Sequence, residues 1–354
     1  YQLFPSATIT FILFIRGQES AIRPGRTKDD AMVSTGKELL KVFMVTYNHE
    51  AFIREAVESV MMQRTDFPVL LVIGEDKSTD NTRALVQELA AEYPDRIRPI
   101  LHETNLGAAR TGLDVWAECL RESSYVAILE GDDFWTDPLK LQKQVDVLRA
   151  DPSVSMCFHD AWNQAPDGTR TEYVRAWLGD RPVKERFGLD EVITENFVPT
   201  VSICLRNTPD LRLLERLKDH PLMDHTINIV LAGLGELAYI DQPMGVRRQH
   251  AGGLISMRSR QHKIDFNLDL LPHLNELTKG RYAVRLARRR KELLDMAFEA
   301  AVGARDRSTA RQRWQRIWRE RGPAGYSARE LGRTFVVAYV PALAGWFARK
   351  RMAR

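Results

Sequence analysis

The chain has 354 residues, enough for one large catalytic domain with an appendage. Its 51 basic and 47 acidic residues are too evenly balanced to argue for a nucleic-acid partner. No apolar run reaches the ~20 residues that span a bilayer. The three scattered cysteines, Cys119, Cys157 and Cys204, lack metal-type spacing and suit buried thiols in a reducing compartment.

The first segment opens on Tyr1 and holds a single short apolar run, residues 9–15, closed by Arg16. No basic residue precedes the run and no small-residue cleavage site follows it, which disfavours a signal peptide. Residues 1–37 are therefore expected to be an extension outside the fold, with Met32 a natural start. From Lys41 the pattern becomes regular. Residues 42–46 predict a strand, Tyr47-Asn48-His49 a turn, and 50–63 a helix with Phe52, Ala56, Val57, Val60 and Met61 at helical spacing. Residues 69–74 predict a second buried strand. The polar loop Glu75 to Thr82 follows, where Thr79 or Asp80 can cap a helix running to about Ala91. A strand over 97–101, a helix over 107–121 and a strand over 125–129 complete the series. This alternation predicts an α/β fold, a mostly parallel sheet with helices on both faces. No glycine-rich phosphate loop follows the first strand, which argues against a dinucleotide fold, a P-loop or a nucleotidyltransferase.

The fourth strand ends in Leu129-Glu130-Gly131-Asp132-Asp133-Phe134-Trp135. Three carboxylates within four residues oppose one another's ionisation unless a cation sits among them. Hard divalent ions take oxygen ligands, commonly one or two carboxylates together with substrate phosphates. An isolated Asp-Asp pair would be read as a solvated turn. At the carboxyl end of a buried strand, where α/β sheets gather ligands, a metal–diphosphate site is the stronger reading.

Four motifs in order, Val45-Thr46-Tyr47-Asn48, Gly74-Glu75-Asp76 with Ser78-Thr79-Asp80-Asn81-Thr82, Asn105-Leu106-Gly107, and Gly131-Asp132-Asp133, resemble family 2 glycosyltransferases of the GT-A fold. The resemblance continues through 199–206, Met223-Asp224-His225 and 244–250, to about Ser256. It implies a GT-A domain over 38–257, followed by a helical, basic region over 258–354. It also implies a donor site in which Thr46 and Tyr47 flank the nucleotide, Tyr47 stacks on the base, and Asp76 accepts a pyrimidine ring N–H. Asp132 would face the ribose or the metal, Asp133 would bind Mn²⁺ or Mg²⁺, and His250 would complete the metal shell or touch the diphosphate. Glu130 stands where the family pattern has Asp. Arg248 could neutralise phosphate oxygens, and Gly252-Gly253 would let the loop close. Asp76 could also be an ordinary turn residue.

Asp224, just ahead of an apolar helix over 227–232, is the candidate general base. An ordinary helix cap is the plain alternative for it, and His225 is the rival base. Phe134-Trp135 could line the sugar pocket or pack beneath the metal loop. Phe158-His159-Asp160 and Trp162, continuing from a strand over 154–158, are expected to line the acceptor cleft. Beyond Arg258, helices are predicted over 265–277 and 281–304, with basic stretches at 285–291 and 311–321. Residues 335–347, flanked by Arg349-Lys350-Arg351, suit either an interfacial anchor or a docked helix.

The expected function is an inverting, metal-dependent glycosyltransferase that moves a sugar from a UDP- or dTDP-sugar to a saccharide or lipid-linked acceptor. Cell-surface polysaccharide or glycolipid synthesis is the expected setting, in the cytoplasm with peripheral contact on the inner membrane face. A catalytically inactive carbohydrate-binding or scaffold protein of the same fold is the alternative.

Overall fold

The computed structural model describes residues 38–208, 224–250, 260–278 and 280–303, with 308, 309, 311–313 and 315. These fall into two compact units, one within 23–253 and one within 254–354. The expected extension 1–37, the Gly252-Gly253 pair and the apolar segment 335–347 lie outside the described residues.

The larger unit is built on β1 (Leu40–Thr46), α1 (Ile53–Met61), β2 (Val69–Glu75), α2 (Thr82–Glu92), β3 (Ile97–Leu101), α3 (Ala108–Leu120) and β4 (Tyr125–Ile128). β1 pairs in parallel with β2 on one side and β4 on the other, and β2 pairs with β3. Helices cover both faces, so the strands read as continuous apolar runs. Leu40, Val42 and Met44 are fully buried, as are Leu71, Val72 and Ile73. α1 buries Ile53, Ala56, Val57 and Val60 on one stripe. α3 lies so close to β2 that a Cβ at Gly74 would stand 2.5 Å from Val115 Cγ2 and 2.8 Å from Thr111 Cγ2. Only glycine admits that approach.

The second half departs from simple alternation. β5 (Phe134–Trp135), α4 (Lys140–Ala150), β6 (Val154–Gln164), β7 (Arg170–Glu172), α5 (Tyr173–Leu178), β8 (Arg186–Phe187), α6 (Leu189–Val192), β9 (Cys204–Arg206), α7 (Asp224–Leu234) and β10 (Glu236–Arg248) follow. The sheet runs β3-β2-β1-β4-β9-β6-β10-β5. β9 is antiparallel to both β4 and β6, whereas β10 runs parallel to β6 with register shifts around Pro243. Parallel pairings still hold most of the paired residues, so the mostly parallel α/β class stands. β10 has a further consequence: its end pairs antiparallel with β5, Gly245 to Trp135 and Val246 to Phe134, directly after the acidic loop. Cys119, Cys157 and Cys204 are buried free thiols, as their apolar surroundings predict.

Lys140 opens α4 and is fully buried, with Nζ 3.7 Å above the Trp135 ring and no hydrogen-bond partner among the described residues. Burial pulls its pKa down to about 7. An unfolded lysine titrates near 10.4. Between about pH 7 and pH 10 the unfolded chain therefore holds a proton that the folded chain lacks, and stability rises with pH. Lys140→Met is expected to be more stable than the parent at about pH 7 by on the order of a few kcal/mol. The gap should close toward about pH 10. Denaturant unfolding across that range checks it; a gap independent of pH would mean the ammonium is charged and accommodated.

In the smaller unit, α8 (Arg260–Leu277) and α9 (Ala283–Gly303) pack on each other. They bury Leu268, Leu271 and Leu274 from one and Leu286, Leu293 and Leu294 from the other. Among the described residues no helix is long and apolar enough to cross a membrane.

Candidate active site

Three loops leave the carboxyl ends of neighbouring parallel strands and meet above β1. The loop after β2 is tied down where Asp76 N donates to Thr46 O at 3.1 Å, and the loop after β4 where Gly131 N donates to Val45 O at 3.1 Å. The loop after β1 is stitched to the loop after β2. Asn48, in the left-handed region at φ 55°, accepts Thr79 N on Oδ1 at 2.8 Å, and Asp80 Oδ2 accepts Glu50 N at 3.1 Å. Asp80 Oδ1 also accepts Thr82 N at 2.9 Å, but the N-cap of α2 is Asn81, so neither Thr79 nor Asp80 holds the expected cap position.

The acidic loop holds Glu130, Asp132 and Asp133 with ligand oxygens within 4.8 Å of one another. Glu130 is exposed, Asp132 half-buried, and Asp133 buried at 2% exposure. Asp133 Oδ1 accepts Arg248 N at 2.8 Å, while Oδ2 is buried with no hydrogen-bond partner among the described residues. Burial, and after it the charges on Asp132 and Glu130, push the Asp133 carboxyl well above its ordinary range. An orphaned carboxylate oxygen among like charges is what a hard divalent cation relieves, so these residues fit one. Glu130, Asp132 and Asp133 would hold it. His250 stands outside that three-carboxylate cluster and reaches it through Asp132, its Nε2 2.9 Å from Asp132 Oδ2.

Several expected contacts are repositioned. Arg248 is engaged by protein groups. Its Nη1 donates to Asp132 O at 2.6 Å, its Nη2 pairs with Glu55, and its guanidinium lies 4.2 Å from the Phe134 ring centroid and 5.2 Å from that of Phe52. With the side chain only 10% exposed, it clamps the end of β10 and α1 onto the acidic loop. Asp76 is 2% exposed and accepts Leu106 N at 2.7 Å, Gly107 N at 2.9 Å and Thr111 Oγ1 at 2.8 Å. It organises the loop ahead of α3 and keeps one acceptor position of its ~4. Thr46 is buried with Oγ1 unpartnered among the described residues, and Tyr47 stands 39% exposed at the rim.

On the acceptor side, Asp224 is the first residue of α7. His225 is buried, and its Nε2 donates to Val192 O at 2.6 Å. Phe158, His159 and Asp160 do not line a cleft, because all three are buried. Asp160 instead accepts Ala161 N, Val174 N and Arg175 N at 2.7, 2.8 and 3.0 Å, fixing the start of α5. Trp135 is 1% exposed and donates Nε1 to Val201 O at 2.8 Å, so it packs beneath the acidic loop.

Sequence reasoning passed over His49. Its Nε2 lies 3.8 Å from Asp132 Oδ2, and its ring lies 6.1 Å from that of His250. Burial, opposed by the Asp132 charge, holds it below the ordinary imidazole value. No local pattern marks it; only the approach of two distant loops does.

Residues 41–206 match the family described as Glycosyl transferase family 2. An uncharacterized protein of Mycobacterium tuberculosis is 37% identical over 221 residues, which are 61% of this chain and 60% of that protein. The chain thus spans about three fifths of the length of that relative. The dTDP-rhamnosyl transferase RfbG of Shigella flexneri is 31% identical over 110 residues, 30% of this chain and 36% of that one. Among solved structures, that of S. aureus TarS residues 1–349 superposes with a TM-score of 0.49 at 14% identity, covering 85% of this chain and 78% of the other.

Proposed function

We propose, from residues 41–206 that match the family described as Glycosyl transferase family 2, that the chain is a metal-dependent, inverting enzyme using a UDP- or dTDP-sugar donor. The observation that carries the reading is the cluster of Glu130, Asp132 and Asp133 at the carboxyl end of β4, with a buried, orphaned Asp133 oxygen at its centre. The name of the Shigella relative supports the dTDP part of the donor class.

In this reading Tyr47 offers its exposed ring to the base, and the Asp76 loop closes the base side of the crevice. A bound Mn²⁺ or Mg²⁺ supplies charge neutralisation for the departing diphosphate. Glu130, Asp132 and Asp133 would hold that ion, and Arg248 keeps the acidic loop in register from behind. Asp224 takes the proton of the attacking acceptor hydroxyl. Attack opposite the leaving group inverts the anomeric centre. The acceptor is a saccharide or lipid-linked saccharide in cell-surface polysaccharide or glycolipid synthesis. The protein works in the cytoplasm with peripheral membrane contact.

Thermal denaturation with nucleoside diphosphates, with and without Mn²⁺, tests this. A ligand at about 100 times its Kd stabilises by about 2.7 kcal/mol, a shift of several degrees for a domain of this size. UDP or dTDP is expected to give it only with Mn²⁺. No shift with any nucleoside diphosphate would favour the inactive scaffold.

A further inference from the structure

We propose that His49 is a positioning residue for the cation site: its imidazole braces the Glu130-Gly131-Asp132 loop and sets the reach of the Asp132 carboxylate. The proposal rests on the metal-dependent reading above.

The ring touches the acidic loop at both nitrogen edges. A Cβ built on Gly131 would lie 3.1 Å from His49 Nδ1 and 2.8 Å from Thr46 Oγ1, so the imidazole sits directly on the glycine backbone. At the opposite edge, Nε2 is 3.8 Å from Asp132 Oδ2. That separation is beyond a hydrogen bond, and the same oxygen is held by His250 at 2.9 Å. Two imidazoles thus converge on one carboxylate oxygen from different elements, one from the loop after β1 and one from just past β10.

The His49 main chain is fixed more tightly than a turn residue requires. Its N donates to Thr82 Oγ1 at 2.8 Å, and its O accepts Phe52 N and Ile53 N, both at 2.9 Å. The preceding Asn48 is held in the left-handed region by its bond from Thr79. The imidazole therefore projects from a rigid support shared by the β1 and β2 loops. Partners that orient metal ligands typically affect metal affinity by about 10- to 100-fold. A side chain at Gly131 would crowd Thr46 first, at 2.8 Å, and His49 Nδ1 next, at 3.1 Å, so the glycine gives both room at the acidic loop.

The test is a Mn²⁺ titration of the full chain without nucleotide, followed by calorimetry or by the spin-resonance signal of free Mn²⁺. Wild type, His49→Phe and His49→Gln are compared, with unfolding midpoints to show that each is folded. His49→Phe keeps an aromatic ring beside Phe52 but removes both nitrogens, and His49→Gln restores a polar N–H near Asp132. The expected result is Mn²⁺ affinity about 10- to 100-fold weaker in His49→Phe, with substantial recovery in His49→Gln. Should His49→Phe fail to fold, His49→Leu takes its place as the apolar variant. Unchanged affinity in the apolar variant overturns the proposal and leaves the metal reading standing. Equal weakening in the apolar and Gln variants also overturns it, because a polar N–H beside Asp132 would then not be what the loop needs. No Mn²⁺ binding by wild type removes the metal reading and this proposal together.

Discussion

Asp132→Asn is expected to lower sugar transfer by about 10²–10³-fold, the usual scale for removing one preorganised electrostatic contact to a leaving group. Metal-dependent binding of UDP or dTDP should go with it, while the unfolding midpoint stays near that of the parent. The reason is position: Asp132 is half-buried, touches His250, and offers its carboxylate to the crevice. Asp133→Asn is expected to remove the same activity with a different stability signature. Without a cation, the raised Asp133 pKa means that the folded chain holds a proton longer than the unfolded one as pH rises. Stability therefore falls as pH climbs through the interval above the ordinary carboxylate value. The amide removes that penalty, so Asp133→Asn should be more stable than the parent at neutral pH without metal, and insensitive to Mn²⁺. Equilibrium unfolding with and without Mn²⁺, beside a transfer assay, measures both. An Asp133→Asn protein that Mn²⁺ still stabilises to the parental extent would take Asp133 out of the ligand set.

The second large effect is expected at Asp224. Asp224→Asn should leave donor affinity unchanged and lower turnover by about 10²–10⁴-fold, the range of a lost general base. Single-turnover rates at saturating donor separate this from a binding defect. A loss under about tenfold, or a donor Kd that weakens in step with the rate, would assign Asp224 to helix capping alone.

Local pattern carried the first half of the fold. The strand over 125–129 was legible because both its faces are apolar, and the helix over 107–121 because one face is; the strand over 97–101, with exposed Arg98, follows from its place in the alternation. The structure has them at Ile97–Leu101, Tyr125–Ile128 and Ala108–Leu120. The second half was harder to read. β9 has only three residues, and β10 is interrupted by Asp241-Gln242-Pro243, where its register with β6 shifts. Short and irregular strands owe their state to neighbours rather than to period. Charged residues near the crevice misled for a related reason. Arg248 and Asp160 carry the chemistry of ligand contacts, yet both are engaged by protein groups from other elements.

What the sequence determined by itself was the α/β class and the gathering of three carboxylates, Glu130, Asp132 and Asp133, at a strand end. Apolar period and the mutual repulsion of Glu130, Asp132 and Asp133 act over a few residues and can be read there. What only the tertiary structure decided was which groups face the crevice. It turned Arg248 inward onto Glu55, Phe52 and Phe134, and engaged Asp76 with the loop ahead of α3. It also laid His49 across Gly131 beside Asp132. Those outcomes depend on burial and on hydrogen-bond partners supplied by segments distant in the chain, and a buried polar group must take whichever partner the packing brings to it.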